Sequence, residues 1–319
     1  MPTPVLIAAE LRELLPEDPL PSADVTWISA GEPTPSGPYE AVVPLLSRRI
    51  GLQELALLPK LRLVANCAVG VDNVDLAACA ARGVGVTNTP DVLTDATADL
   101  TMALLLAVTR RMKEGEALLR EGAWTGWDPR QLLGTGLRGL TLGLVGAGRI
   151  GQAVGRRARA FGMGLRYTAR QPRAAFEADT GAVRVSLDDL LAGSDVVSLH
   201  VPSTGETRGL IGRAALARMK PGAFLINTAR GDVVDEQALI DALESGHLGG
   251  VGLDVFAREP QVPPPLVRHP RAVVLPHLGS ATVQTRRAMA GLAVKNVAAL
   301  LEGKRVLTPV GGETAGDGR

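Results

Sequence analysis

Gly146, Gly148 and Gly151 lie in TLGLVGAGRIG, between a short apolar run and a stretch of helical character. In that setting each glycine has a physical task. Gly146 permits a tight turn, Gly148 lets the backbone approach a pyrophosphate, and Gly151 lets helix pack on strand. The N–H groups at the helix start, Arg149 and Ile150, then face the anion. In a chain with 37 glycines the pattern alone is weak. Its strand–turn–helix context favours a dinucleotide site over an α/β turn without a ligand. The following strand ends in YTARQPR. An acid at its end would accept hydrogen bonds from the adenosine ribose 2′-OH, but Arg170 stands there, Arg173 follows, and no acid occurs until Glu177. A guanidinium binds phosphate bidentately and Pro172 keeps the turn extended. The expected cofactor is therefore NADP(H) by preference, with NAD(H) second; a solvated surface arginine is the ordinary alternative.

Reduction of a carbonyl by such a cofactor needs a proton donor and a cation that holds the substrate. Of four histidines, His247 in LESGHLGG reads as a helix C-terminal cap, His269 lies in a proline-rich loop, and His200 ends an apolar strand as a packed histidine would. His277 follows VVLP at the C-terminal edge of a buried strand, where open α/β sheets bind ligands, and Gly279 and Ser280 allow close backbone approach. Arg230 holds the matching place after FLINTA. Glu259, in DVFAREP, is a carboxylate that would orient His277 and stabilise its imidazolium. Singly these residues also suit a loop ion pair, a surface acid and a strand-end cap. Their joint placement after a nucleotide motif favours chemistry.

The elements that must position these groups alternate along the chain. VLIAA, VTWIS, AVVPLL, LRLVAN and VGVTNT are β-rich runs, with LQELALL and VDLAACAA helical between them, which predicts a small doubly wound parallel sheet. One long helix is predicted from an N-cap at Thr94 or Asp95 through ADLTMALLLAVTRRMKEGEALL to Gly122. From Thr141 the alternation restarts as a larger doubly wound domain. ATVQTRRAMAGLAVKNVAALLEG then reads as a helix with one apolar stripe, long enough to return the chain to the first domain. The glycine-rich tail GGETAGDGR is expected to be disordered.

Composition narrows the classes. With 46% hydrophobic and 21% charged residues, the 319-residue chain suits a soluble protein of about two domains. Its 34 Lys and Arg nearly cancel 33 Asp and Glu, which argues against a nucleic-acid partner. Cys67 and Cys79 form no paired motif, so neither a disulfide framework nor a thiolate metal site is read and no metal is expected. The N-terminus lacks a basic leader, and the apolar run Met102 to Val108 is too short to span a bilayer; no membrane partner and a cytoplasmic location are expected.

VGVDNVDLAACAARGVGVTNTPDVLTDATADL, GLVGAGRIG, INTARGDVVDEQAL, GLDVFAREP and LPHLGSAT resemble, in order, the D-isomer-specific 2-hydroxyacid dehydrogenases. VLTDATADLTMALLLAVTRR, WTGW and YTARQPR most resemble the glyoxylate/hydroxypyruvate reductases among them. The resemblance implies a Rossmann dinucleotide-binding domain at 97–283 and a smaller flavodoxin-like substrate domain at 1–96 and 284–319. It implies a small 2-oxo or 2-hydroxy acid substrate, with Arg230 binding its carboxylate, His277 as general acid, Glu259 paired to His277, and Val69 and Gly70 N–H groups with Ser280 completing the substrate contacts. Thr97 would lie near the cofactor phosphates or nicotinamide, Thr228 near the nicotinamide ribose, Asp254 on the carboxamide, Pro202 beside the adenosine, and Gly279 also against the cofactor. Domain closure about hinges near 95–97 and 280–284 is implied. So is a homodimer in which Trp124 and Trp127 lie at the interface; a local aromatic anchor is the alternative. Within the same fold, 3-phosphoglycerate dehydrogenase is a rival, and formate dehydrogenase is disfavoured because a glutamine would replace Glu259. A dinucleotide-sensing corepressor is the distant alternative from another class.

Overall fold

The computed structural model describes residues 2–311, so the expected disorder of the tail from Gly312 concerns residues outside those described. The chain divides into two compact units, one of residues up to Leu93 together with those from Ala281, the other Thr94–Ser280. The expected boundaries at 96/97 and 283/284 thus fall three residues from the observed divisions.

The first unit begins with β1 (Thr3–Ala8), β2 (Ala23–Ile28), β3 (Ala41–Val43), α1 (Leu52–Leu57), β4 (Leu63–Ala65), α2 (Leu76–Ala81) and β5 (Gly85–Thr87). Its five-stranded sheet has the order β2-β1-β3-β4-β5 with every pairing parallel, the flavodoxin-like arrangement. β3 and β4 are buried along their whole length, as strands covered on both faces must be.

The second unit opens with α3 (Thr94–Thr109) and α4 (Met112–Arg120), where one long helix was expected. The break has a local cause. Thr135 N–H takes the Thr109 carbonyl at 2.8 Å, Thr109 Oγ1 bonds back to Leu105 O at 2.7 Å, and Arg111 turns into the left-handed region at φ 54°. Helix-favouring residues continue past this point, but the Thr109 carbonyl that would carry the helix on is already taken.

There follow β6 (Thr141–Val145), α5 (Arg149–Ala160), β7 (Gly164–Thr168), α6 (Ala174–Thr180), β8 (Val183–Arg184), α7 (Leu187–Gly193), β9 (Val196–Leu199), α8 (Arg213–Arg218), β10 (Ala223–Asn227), α9 (Glu236–Glu244), β11 (Leu248–Leu253), α10 (Pro264–Arg268) and β12 (Ala272–Val274). The seven strands run in the order β12-β11-β10-β9-β6-β7-β8, all parallel, a Rossmann sheet extended by one strand. Strand order reverses between β6 and β9, and the Gly146 turn and His200 leave their strands there. The short elements α6, β8 and α10 were not read from the sequence; β8 is exposed and α10 buries only Leu266. Finally α11 (Val283–Leu301) belongs to the first unit; it buries Met289, Ala290, Ala293, Val294 and Val297 at helical spacing.

At the centre of the second sheet, β6 carries Gly143 because α7 packs directly over it. A Cβ there would lie 2.4 Å from Ser194 Oγ and 2.6 Å from Leu190 Cδ2. Gly143→Val is expected to lower the thermal midpoint by roughly 2–10 °C through overpacking. A midpoint within one degree of wild type by calorimetry would contradict that packing.

Candidate active site

The glycine turn is built from contacts a side chain would destroy. Gly146 has φ 98°, and a Cβ on it would sit 2.6 Å from His200 O; one on Gly151 would sit 2.2 Å from Gly146 O. Gly148 differs, since a Cβ there meets nothing within 4 Å. Two glycines are thus required by the protein's own packing, while the third leaves open space in front of the α5 N-terminus, towards which the helix dipole presents its positive end. That cradle fits a dinucleotide pyrophosphate. His200 forms part of the wall behind it: burial pushes its imidazole down to about 3, and Ser198 Oγ lies 2.9 Å from Nε2. It is therefore neutral at ordinary pH and unsuited to proton donation there.

His277 leaves β12 in a left-handed conformation, φ 56°, which costs a non-glycine residue on the order of 1–2 kcal/mol. Asp254, just beyond β11 and 1% exposed, holds that turn. Its carbonyl accepts His277 N–H at 2.9 Å, Oδ1 accepts Leu278 N–H at 2.6 Å, and Oδ2 accepts Gly279 N–H at 2.8 Å. Burial raises the Asp254 carboxyl above its ordinary value, opposed by these two N–H groups and by the charge of His277. The expected carboxamide contact of Asp254 thus falls on a carboxylate whose two oxygens already bind backbone. Gly279 lies against the same corner, where an added Cβ would be 3.3 Å from Asp254 Oδ2 and 3.4 Å from Thr97 Cγ2.

His277 Nδ1 meets Glu259 Oε2 at 2.8 Å, and Glu259 Oε1 accepts Phe256 N–H at 3.0 Å. The carboxylate is thereby anchored at one oxygen and bound to the imidazole at the other, leaving Nε2 as the nitrogen available for a reacting group. Burial pushes the Glu259 carboxyl up. The hydrogen bonds from His277 and Phe256, with the charges of His277 and Arg230, outweigh it and bring the group below its ordinary value of 4.5.

Arg230 follows β10, its Nη1 donating to Ala229 O at 2.7 Å while its own carbonyl accepts Asn227 Nδ2 at 2.9 Å. The next residue was not singled out from sequence and is sterically the most constrained here. A Cβ on Gly231 would lie 1.9 Å from Phe256 C and 2.3 Å from Ala257 N, so the Arg230 loop and the loop leading to Glu259 touch backbone to backbone. Thr97 and Thr228 are buried and joined through Thr101, which sequence reasoning also missed. Thr101 Oγ1 donates to Thr97 O at 2.8 Å, so in its 2.8 Å contact with Thr228 Oγ1 it must accept. Thr228 donates inward and keeps only lone pairs for a ligand.

In the first unit, Val69 and Gly70 follow β4, with their carbonyls bound by Asn88 Nδ2 and Asn66 Nδ2, each at 2.8 Å. Asn66 is fully buried and paired with Asn73, which reaches the carbonyls of Leu45 and Arg48. Neither Val69 nor Gly70 N–H makes a backbone hydrogen bond among the described residues. Asn73 and Asn88 carry no sequence signature, because the carbonyls they bind lie 19 to 28 residues away.

The remaining expected residues are placed as follows. Arg170 and Arg173 are exposed in the loop after β7, with Arg173 Nε on Ala147 O at 3.1 Å; Pro202 is exposed, and Ser280 ends the second unit half-buried. His269 Nδ1 accepts Arg271 N–H at 3.1 Å. His247, expected to cap its own helix, instead donates Nε2 to Leu216 O of α8 at 3.0 Å. Among the described residues no group of three or more His, Cys, Asp or Glu side chains could hold a metal, and no helix is long and apolar enough to cross a membrane.

A doubly wound sheet with a glycine cradle at its switch point, and an imidazole–carboxylate pair within electrostatic reach of an arginine, defines a dinucleotide-dependent oxidoreductase. The sequence model of "D-isomer specific 2-hydroxyacid dehydrogenase, NAD binding domain" matches residues 102–279, and the chain belongs to this family. It is 49% identical over 269 residues to a glyoxylate reductase of Thermococcus litoralis, covering 83% of this chain and 81% of that one. A solved structure from Thermus thermophilus is 46% identical with a TM-score of 0.86, covering 97% of this chain and 100% of that chain. An NADPH-dependent glyoxylate/hydroxypyruvate reductase of Sinorhizobium meliloti, solved with NADP and malonate, is 36% identical with a TM-score of 0.87 over 98% of this chain and 97% of that one.

Because Glu259 is held below its ordinary 4.5, its contribution to stability is present above that pH and is lost as the pH falls through its lower folded value. Glu259→Gln is therefore expected to lower the thermal midpoint at neutral pH, with the gap to wild type closing on acidification below 4.5. Thermal melts across that range check the sign; a gap that widens towards acid would contradict the assignment.

Proposed function

We propose that this chain is an NADPH-preferring reductase of small 2-oxo acids, converting glyoxylate to glycolate and hydroxypyruvate to D-glycerate. The observation that carries the reading is the His277–Glu259 contact at 2.8 Å with Arg230 acting on the same carboxylate. The naming of its relatives supports the substrate class.

When bound, the reduced nicotinamide supplies a hydride to the carbonyl carbon. The chain does the rest. Gly146, Gly148, Arg149, Ile150 and Gly151 receive the pyrophosphate, Pro202 flanks the adenosine, and Thr97, Thr228, Asp254 and Gly279 line the nicotinamide end. Arg230 binds the substrate carboxylate and polarises the carbonyl, and Ser280 makes a further contact. His277 holds its proton on Nε2 and delivers it to the carbonyl oxygen as charge develops there. Glu259 remains ionised and stabilises the imidazolium until transfer. In the oxidative direction the same nitrogen accepts the proton. Arg170 and Arg173 supply positive charge for the 2′-phosphate that distinguishes NADPH from NADH. Trp124 and Trp127, 52% and 82% exposed, are the proposed contact of a homodimer.

Initial rates with hydroxypyruvate and glyoxylate, each with NADPH and NADH, test substrate and coenzyme together. The expected result is turnover of both acids and a higher kcat/KM with NADPH; absence of turnover with any 2-oxo acid would overturn the reading. His277→Asn is expected to reduce kcat by about 10²- to 10⁴-fold while NADPH still binds. Unchanged turnover in that variant removes the imidazole from the mechanism. Sedimentation velocity should show a dimer for wild type and a shift towards monomer for Trp127→Ala. A monomeric wild type contradicts the interface.

A further inference from the structure

The loop 169–173, between β7 and α6, carries both arginines assigned above to the 2′-phosphate, and it is suspended from three anchors. Arg173 Nε binds Ala147 O in the glycine turn at 3.1 Å. Arg173 N–H donates to the hydroxyl of fully buried Tyr167 at 2.8 Å, and that hydroxyl donates in turn to Glu177. The third anchor is Arg184 on the edge strand β8. Its Nε and Nη2 donate to Ala169 O at 3.1 and 2.9 Å, and Nη2 also donates to Arg170 O at 3.1 Å. Arg184 is the register partner of Tyr167, so two adjacent strands hold the loop through neighbouring residues.

The charges are as telling as the bonds. Arg170, Arg173 and Arg184 form no ion pair with a carboxylate among the described residues. Glu177, the first acid after the loop, is taken by the Tyr167 phenol. Three guanidinium groups are thus gathered on one loop and its supporting strand without a counter-ion, beside the turn that receives a pyrophosphate. A dianion bound beside this loop would meet positive charge that no carboxylate among the described residues pairs with.

We propose that Arg184 is a positioning residue for coenzyme choice. It clamps the Ala169 and Arg170 carbonyls so that the Arg170 guanidinium is presented to the adenosine 2′-phosphate, and its charge strengthens that site. This rests on the NADPH reading. A lysine cannot replace it fully, since a point ammonium lacks the planar fork that engages two successive carbonyls.

Arg184→Met and Arg184→Lys should be compared with wild type in two measurements: kcat/KM with NADPH and with NADH, and calorimetric binding of 2′,5′-ADP against 5′-ADP. For Arg184→Met the expectation is about a tenfold loss of kcat/KM with NADPH, carried by KM, with NADH changed less than twofold. Affinity for 2′,5′-ADP should fall in parallel, with partial recovery in Arg184→Lys. If wild type itself binds 2′,5′-ADP no better than 5′-ADP, the NADPH reading fails, and this inference with it. If wild type discriminates and Arg184→Met discriminates equally, or loses both coenzymes alike, only the role of Arg184 is overturned. Arg184→Gln serves as the neutral variant should the methionine variant not fold.

Discussion

The site depends first on one buried carboxylate. Asp254 accepts three successive N–H groups, one at its carbonyl and two at its side chain, and so holds the His277 turn in a backbone conformation that β-carbon sterics disfavour. Without those bonds an extended strand exit would be preferred, and the imidazole would leave the neighbourhood of Glu259. Burying a carboxylate is costly unless its oxygens are satisfied, and here the groups that satisfy it are the strained segment itself. Strain and desolvation therefore offset each other at the same place.

Backbone contact does comparable work between the loops. Gly231 lets the Arg230 turn rest on the peptide of Phe256 and Ala257, and Glu259 is anchored by the Phe256 N–H from that same segment. The two loops that carry the cation and the acid are thus in direct main-chain contact. Gly146 and Gly151 act likewise in the glycine turn, where the His200 carbonyl and the Gly146 carbonyl occupy the volume of the missing side chains.

Much of this was legible in the sequence where a signal is periodic or chemically singular. The parallel strands announced themselves as short apolar runs, since β9 and β10 are buried throughout. The glycine turn, Arg230, Glu259 and His277 were legible as residue types at strand ends. The helix break was not, because helix-favouring residues continue across Thr109 to Met112 and mask the point where Thr135 N–H takes the Thr109 carbonyl, a partner distant in the chain. Thr101, Gly231, Asn73 and Arg184 were invisible for the same reason, as each is defined by a partner remote in sequence.

By itself, then, the order of residues determined two doubly wound sheets, a glycine turn between strand and helix and a small set of ionisable groups, because burial of alternating strands and helices follows from local hydrophobic pattern. Which atoms meet was decided only by tertiary structure. Distance between side chains at strand ends depends on strand order and on the exact path of each loop, and a path is set by hydrogen bonds such as those of Asp254 and Arg184, whose acceptors and donors lie elsewhere in the chain.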